Sequence, residues 1–173
     1  MWLGACTSSI GTWLQKAAQS WLVYEISKST FLLGLDQFLG EIPILLFSLF
    51  GGVASDRFDR RKILIGSQLG QMTSAFVLAA LFFRFGHGVP VWSILALSFV
   101  NGFSQAFGGP AYQSILPMMV PKDAIQNAIA MNSLQFNVAR VIGPVIAGFA
   151  LANWGPTWCF SLNGLSFLAV IFA

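Results

Sequence analysis

Ionisable chemistry is what this chain has least of. Its 173 residues include one histidine, two cysteines, six acidic and nine basic side chains. A lone His87 cannot complete a Ser-His-Asp set, and two cysteines with no histidine beside them cannot enclose a metal. No catalytic residue and no metal ligand is therefore expected, and the chain does not read as an enzyme. No G-x-x-x-x-G-K-S/T run is present to cradle a nucleotide phosphate, so no cofactor is expected and any work the protein does draws on an ion gradient. Charged residues make up 9% of the chain against about 25% in a soluble domain, which argues against a water-soluble globule. The net charge of +3 does not point to nucleic acid either, because the cations are few and do not spread over a basic face.

Apolar residues fill the space instead, at 56% of the sequence. They fall into six runs, at 2–24, 31–55, 63–83, 91–115, 124–153 and 157–173. Each is close to the roughly 20 residues that carry a helix across about 30 Å of hydrocarbon. The separators are short and rich in Ser, Gly, Pro or charge, and Asp123 with Gln126 reads as a capping pair for the fifth helix. The expected fold is all-α: a polytopic bundle of six transmembrane helices, with the lipid bilayer as its main partner and no soluble domain. Arg57, Arg60, Arg61, Lys62 and Lys122 fall in the even-numbered connections, whereas Lys28 and Arg84 fall in the odd ones. Basic residues favour the cytoplasmic side, so the even connections and the N-terminus are placed there.

Met1 begins the chain without a polar lead and Ala173 ends it inside an apolar run, which reads as the front half of a longer protein whose C-terminal half is missing. Leu3-Gly4-Ala5-Cys6 has the letters of a lipoprotein box but lacks the charged and apolar lead that processing requires, so Cys6 is read as a small packing residue, and Cys159 likewise. His87 is read as solvated.

The sharpest motif is GGVASDRFDRRK, 51–62, where four cations and two anions separate two apolar runs. Such a block cannot lie in hydrocarbon and must turn at a membrane face. It resembles the loop between the second and third helices of the major facilitator superfamily of secondary transporters, G-x-x-x-D-R-x-G-R-R, through Gly52, Asp56, Arg57, Arg60 and Arg61. Asp59 takes a usual glycine position, where a tight turn with positive φ is expected and Asp tolerates it. A second motif in the fifth helix, Ala139, Gly143, Pro144, Ala147 and Gly148, resembles the superfamily's export-associated G-x-x-x-G-P-x-x-G-G. Small residues at that spacing let helices approach closely. GTWLQKAAQSWLVYEIS (11–27), NAIAMNSLQFNVARVIGP (127–144) and WCFSLNGLSFLAV (158–170) resemble the enterobactin-exporter-like and macrolide-efflux-like branch. The resemblance implies the N-terminal half of a major facilitator fold in a bacterial inner membrane, exporting a small molecule by proton antiport. The charged loop reads as a cytoplasmic latch, with Asp56 accepting from a neighbouring helix end and the arginines pairing with acids, or as positive-inside anchoring only; the placement of Gly52 and Asp56 favours the latch.

Polar residues recur at helical spacing: Ser8, Thr12, Gln15, Lys16 and Gln19 in the first helix, Gln37, Glu41 and Ser48 in the second, Asn101, Gln105, Gly108 and Tyr112 in the fourth, and Ser133, Asn137 and Arg140 in the fifth. These faces should avoid lipid and line one cavity. A charge at a helix centre costs on the order of 2.5 to 3.5 kcal/mol on insertion scales, so Lys16, Glu41 and Arg140 should turn inward and pair, with Asp36 nearer the outer surface. Glu41 is the expected shared anion and proton-binding group, and Arg140 a counter-ion or a contact for an anionic substrate. The fourth helix lacks the arginine that the superfamily often carries there. An uptake permease, a lipid flippase and a non-transporting scaffold stay open as alternatives, and the substrate is not readable from composition.

Overall fold

The computed structural model describes residues 2–171; Met1, and Phe172 and Ala173 at the end of the sixth run, lie outside them. Six helices account for nearly all of it: α1 (Trp2–Ser27), α2 (Thr30–Arg57), α3 (Arg60–Phe85), α4 (Val91–Ile115), α5 (Ile125–Asn153) and α6 (Pro156–Ile171), with no strand among the described residues. The junctions follow local chemistry. Lys28 turns the chain with φ 51° and Ser29 then caps α2, its hydroxyl accepting from the Leu32 amide at 3.4 Å. Gly155, at φ 82°, ends α5, and Pro156 starts α6 at the position where its missing N–H costs nothing.

Two expectations about junctions are corrected. Asp59 does not take a positive φ; at φ −61° it is the N-cap of α3, and its carboxylate accepts from the amides of Arg61 (2.9 Å) and Lys62 (3.4 Å). The charged block is consequently a two-residue junction: Arg57 closes α2, while Arg60, Arg61 and Lys62 open α3. Asp123 does not cap α5. It sits in a 3₁₀ turn, Lys122–Ala124, and α5 starts behind Ala124 with no side-chain cap, one residue too late for the Asp123–Gln126 pairing.

Burial is inverted relative to a water-soluble protein. Phe31, Leu49, Phe83 and Val145 lie on the outside, with Leu49 80% and Phe83 83% exposed, whereas Gln19, Asp36, Gln71, Ser98, Gln135 and Asn163 are buried. That arrangement is stable only when the surrounding solvent is itself apolar. Three segments, Thr30–Arg57, Arg60–Gly88 and Lys122–Asn153, are by length and hydropathy alone able to cross a membrane. Helices α1 and α4 carry inward polar residues, and the described part of α6 runs to Ile171.

Packing interleaves two sequence triplets, α1–α3 and α4–α6, in matching fashion. Helix α2 packs on α4 as α5 packs on α1, α3 lies on α4 as α6 lies on α1, and α3 meets α6. Because consecutive helices alternate in direction, the triplets run oppositely, which is the arrangement of an inverted repeat. The seams close on glycine. A Cβ at Gly143 would lie 2.9 Å from the Leu14 amide nitrogen, one at Gly102 would run into the Gly40 carbonyl, and one at Gly51 into the Ala106 carbonyl. At the end carrying Lys28 and Arg84, Leu22, Val23, Leu78, Phe82, Ile94 and Phe160 form an apolar plug. The cavities lie from mid-bundle toward the opposite end.

Candidate functional site

Where α1, α2 and α4 meet, their polar stripes enclose a cavity of about 230 Å³, lined by Lys16, Gln19, Asp36, Gln37, Glu41, Asn101 and Gln105 among others. Lys16 and Glu41 form an ion pair across it. Gln37 donates to Ser20 Oγ at 2.5 Å. Asp36, six residues into α2, is buried within the bundle at 3% exposure. It accepts from the Ser98 hydroxyl and from Gln19 Nε2 (2.9 Å), and no cation pairs with it among the described residues. Gln19 Nε2 also reaches Ser98 Oγ at 2.6 Å, closing a triangle that joins α1, α2 and α4.

A second cavity, about 460 Å³, continues toward the end that carries the charged junction. Its wall is amide- and hydroxyl-rich, including Ser9, Gln68, Gln113, Gln135 and Asn137, and it shares Thr12, Trp13, Gln71, Gln105 and Phe136 with the first. Trp13 and Phe136 meet edge to face at 5.6 Å in that shared wall. Asn137 donates to the Ser133 carbonyl at 2.8 Å. Arg140 does not pair with Glu41; its guanidinium lies over the Trp13 ring, 5.5 Å from the centroid.

Sequence spacing alone missed Ser98, Gln71 and Asn163. Asn163 Nδ2 donates to buried Gln15 Oε1 at 2.7 Å, joining α6 to α1. The available signal was an Asn with a Ser three residues on in an apolar helix, since Ser166 bonds back to Asn163. Trp13 and Phe136 carried no signal beyond being aromatic.

At the charged junction, the side chain that bridges helices is Arg60 and not Asp56. Arg60 donates from Nε to the Ser55 carbonyl (3.1 Å) and from Nη1 to the Ser114 carbonyl (3.3 Å) and Met118 Sδ (3.2 Å). It thereby satisfies carbonyls at the ends of both α2 and α4, where a cation also meets the negative pole of each helix. Asp56 is exposed and pairs only with Arg60, at 3.8 Å. Arg57 and Arg61 make no ion pair among the described residues. Arg60→Gln is expected to cost about 1 to 2 kcal/mol, the value of a charged hydrogen bond plus a dipole contact. In a thermal unfolding scan it should lower the midpoint, while Arg57→Gln and Arg61→Gln leave it within error.

The two glycine motifs split by face. Ala139, Gly143 and Ala147 are buried against α1, with Ala150 one turn on, whereas Pro144 and Gly148 point away from the bundle. Gly52 of the loop motif has open space around it, and its neighbour Gly51 makes the close approach.

The Transmembrane secretion effector family, within the major facilitator superfamily, matches residues 1–173. The chain belongs to that family. This secretion-effector chain is 28% identical over 163 residues to the Staphyloferrin A transporter of Staphylococcus aureus, covering 94% of the chain and 41% of that protein. It is 26% identical over 154 residues to Macrolide efflux protein A of Streptococcus pyogenes (89% and 38%), and 29% identical over 143 residues to the Enterobactin exporter EntS of Shigella boydii (79% and 32%). The chain thus spans about two-fifths of the length of the first of these relatives. Membership places it among membrane transporters and not among enzymes.

Proposed function

We propose that the secretion-effector chain forms the N-terminal six-helix half of a secondary transporter that exports a small organic molecule in exchange for protons by alternating access. The positive-inside distribution of Arg57 to Lys62 supports a cytoplasmic location for that end and for the N-terminus, in a bacterial inner membrane. In this reading a C-terminal half would supply the second wall of the substrate path, as in transporters that rock two repeats about a central site. Arg60, holding α2 to α4 at the cytoplasmic end, would serve as a latch whose release accompanies the change of access.

The observation that carries the proton assignment is the environment of Asp36. The Ser98 hydroxyl has one hydrogen but two acceptors in reach, Asp36 Oδ1 and the Ile94 carbonyl at 3.1 Å. With Asp36 ionised, Ser98 donates to the carboxylate. With Asp36 protonated, the acid donates to Ser98 Oγ, and Ser98 turns its hydrogen to Ile94. Both protonation states keep their hydrogen bonds without moving a heavy atom, so gain or loss of a proton leaves the triangle intact. Glu41, by contrast, is held by Lys16 and half open to the cavity. Asp36 is therefore the proton carrier in this reading, and the Lys16–Glu41 pair a charged wall.

Everted membrane vesicles containing the full-length protein test it, with erythromycin and staphyloferrin A as probes. At least one should accumulate when the vesicle interior is acid and stop when nigericin removes the pH gradient. Accumulation indifferent to nigericin, or none of either probe, overturns the reading.

A further inference from the structure

We infer that Arg140 and Trp13 form an anion subsite at the edge of the wall that the two cavities share, Trp13 lining both and Arg140 lying exposed beside it, and that the subsite takes the carboxylate of an organic substrate. The inference rests on the reading of these cavities as the substrate path. Two cations share a single indole: Lys16 Nζ lies 5.4 Å and the Arg140 guanidinium 5.5 Å from the Trp13 centroid. Glu41 neutralises Lys16. Arg140 has neither an ion pair nor a hydrogen bond among the described residues, although it sits at the middle of α5. Arg140 is exposed, and at mid-helix of a membrane span an exposed guanidinium needs water or an anion beside it; a ring face supplies only part of that, and the neighbouring ammonium repels it. The cluster is short of one negative charge.

Asp36 cannot supply that charge, because it is committed to Ser98 and Gln19. No anion among the described residues faces Arg140, the cavity wall formed by Trp13 leads to it, and the geometry suits a carboxylate. Trp13 and Phe136 belong to the wall common to both chambers, so an anion entering from the junction end passes the Phe136 ring before reaching the guanidinium. Arg offers a planar fork of donors that matches two carboxylate oxygens, which Lys does not. An apolar body behind the carboxylate would rest on Phe136. The class assigned is therefore a small organic acid with a flat apolar portion.

The test is equilibrium dialysis of the full-length protein in nanodiscs against 2-naphthoate and its neutral isostere 2-naphthamide. The wild-type protein should bind the acid at least about tenfold more tightly, the share of one charged hydrogen bond. Arg140→Gln should remove the preference and Arg140→Lys should keep part of it. Equal affinity of the wild-type protein for the two probes overturns the proposal, whether or not either variant inserts. So does a preference that survives Arg140→Gln, which would leave Arg140 to a structural partner elsewhere in the protein. The measurement needs no gradient: a naphthoate preference without proton-driven transport would fault the exchange reading, and transport without the preference would fault the subsite alone.

Discussion

In Asp36→Asn, uphill export should fall to the level of unenergised vesicles, while exchange of substrate down its own gradient continues. Asparagine keeps the volume of the side chain, and its carbonyl can accept from Ser98 and Gln19 as the carboxyl group does, so the triangle joining α1, α2 and α4 remains closed. What it loses is the ability to gain and release a proton. A transporter locked in the equivalent of its protonated state can still alternate access, but the gradient has nothing left to act on. Substituting Glu41 should behave differently. Glu41→Gln leaves Lys16 without its anion in a partly enclosed cavity, a loss that falls on stability and insertion, and Lys16→Met added to it should recover much of the expression and the gradient response. Counterflow and nigericin sensitivity, measured side by side in proteoliposomes, separate the two carboxylates. Full gradient-driven transport by Asp36→Asn would remove Asp36 from the coupling step.

Sequence made the helices legible for a simple reason: a bilayer demands long apolar runs, and Ser-Lys-Ser, Gly-Pro and charge clusters are the only punctuation that can sit at its surface. The stripe Ser8, Thr12, Gln15, Lys16 and Gln19 could be read for the same reason, since residues three and four apart must share a face. Partners across the bundle were not readable. Ser98 is 62 positions from Asp36, and Asn163 is 148 from Gln15. Even where a local sign exists, as in Asn163 with Ser166 three residues on, nothing local says which residue across the bundle such a side chain will meet. The rotational phase of each helix was equally hidden. The motifs name Gly52, Gly143 and Gly148, yet of these only Gly143 lies in a seam, and Gly51 rather than Gly52 makes the close approach in α2, because phase is set by how α2 settles on α4 and α5 on α1. The burial of Asp36 inside the bundle was hidden in the same way, because the close approach of Gly40 to Gly102 draws that stretch of α2 onto α4. The role of Asp59 turned on one dihedral angle that a cap and a turn do not share.

Phase also decides the second large effect, which pits adjacent or nearby glycines against one another. Gly102→Ala and Gly143→Ala should each destabilise the bundle by about 1 to 3 kcal/mol, because the new methyl meets backbone and backbone cannot step aside. At Gly102 it would run into the carbonyl of Gly40, with the Gly40 carbonyl carbon 2.9 Å away; at Gly143 it would sit 2.9 Å from the amide nitrogen of Leu14 and 3.0 Å from the Trp13 carbonyl carbon. Gly52→Ala and Gly148→Ala enter open space, and there alanine gains up to about 1 kcal/mol over glycine in a helix. The two pairs should therefore move the thermal midpoint of the purified protein in opposite directions by several degrees, even though Gly52, Gly143 and Gly148 are all motif positions and Gly102 is not. Gly143→Leu should go further and prevent α5 from seating on α1, so that the protein runs as aggregate on size exclusion. Equal tolerance at Gly143 and Gly148 would mean that α5 packs in a different phase, and with it Arg140 would no longer meet Trp13.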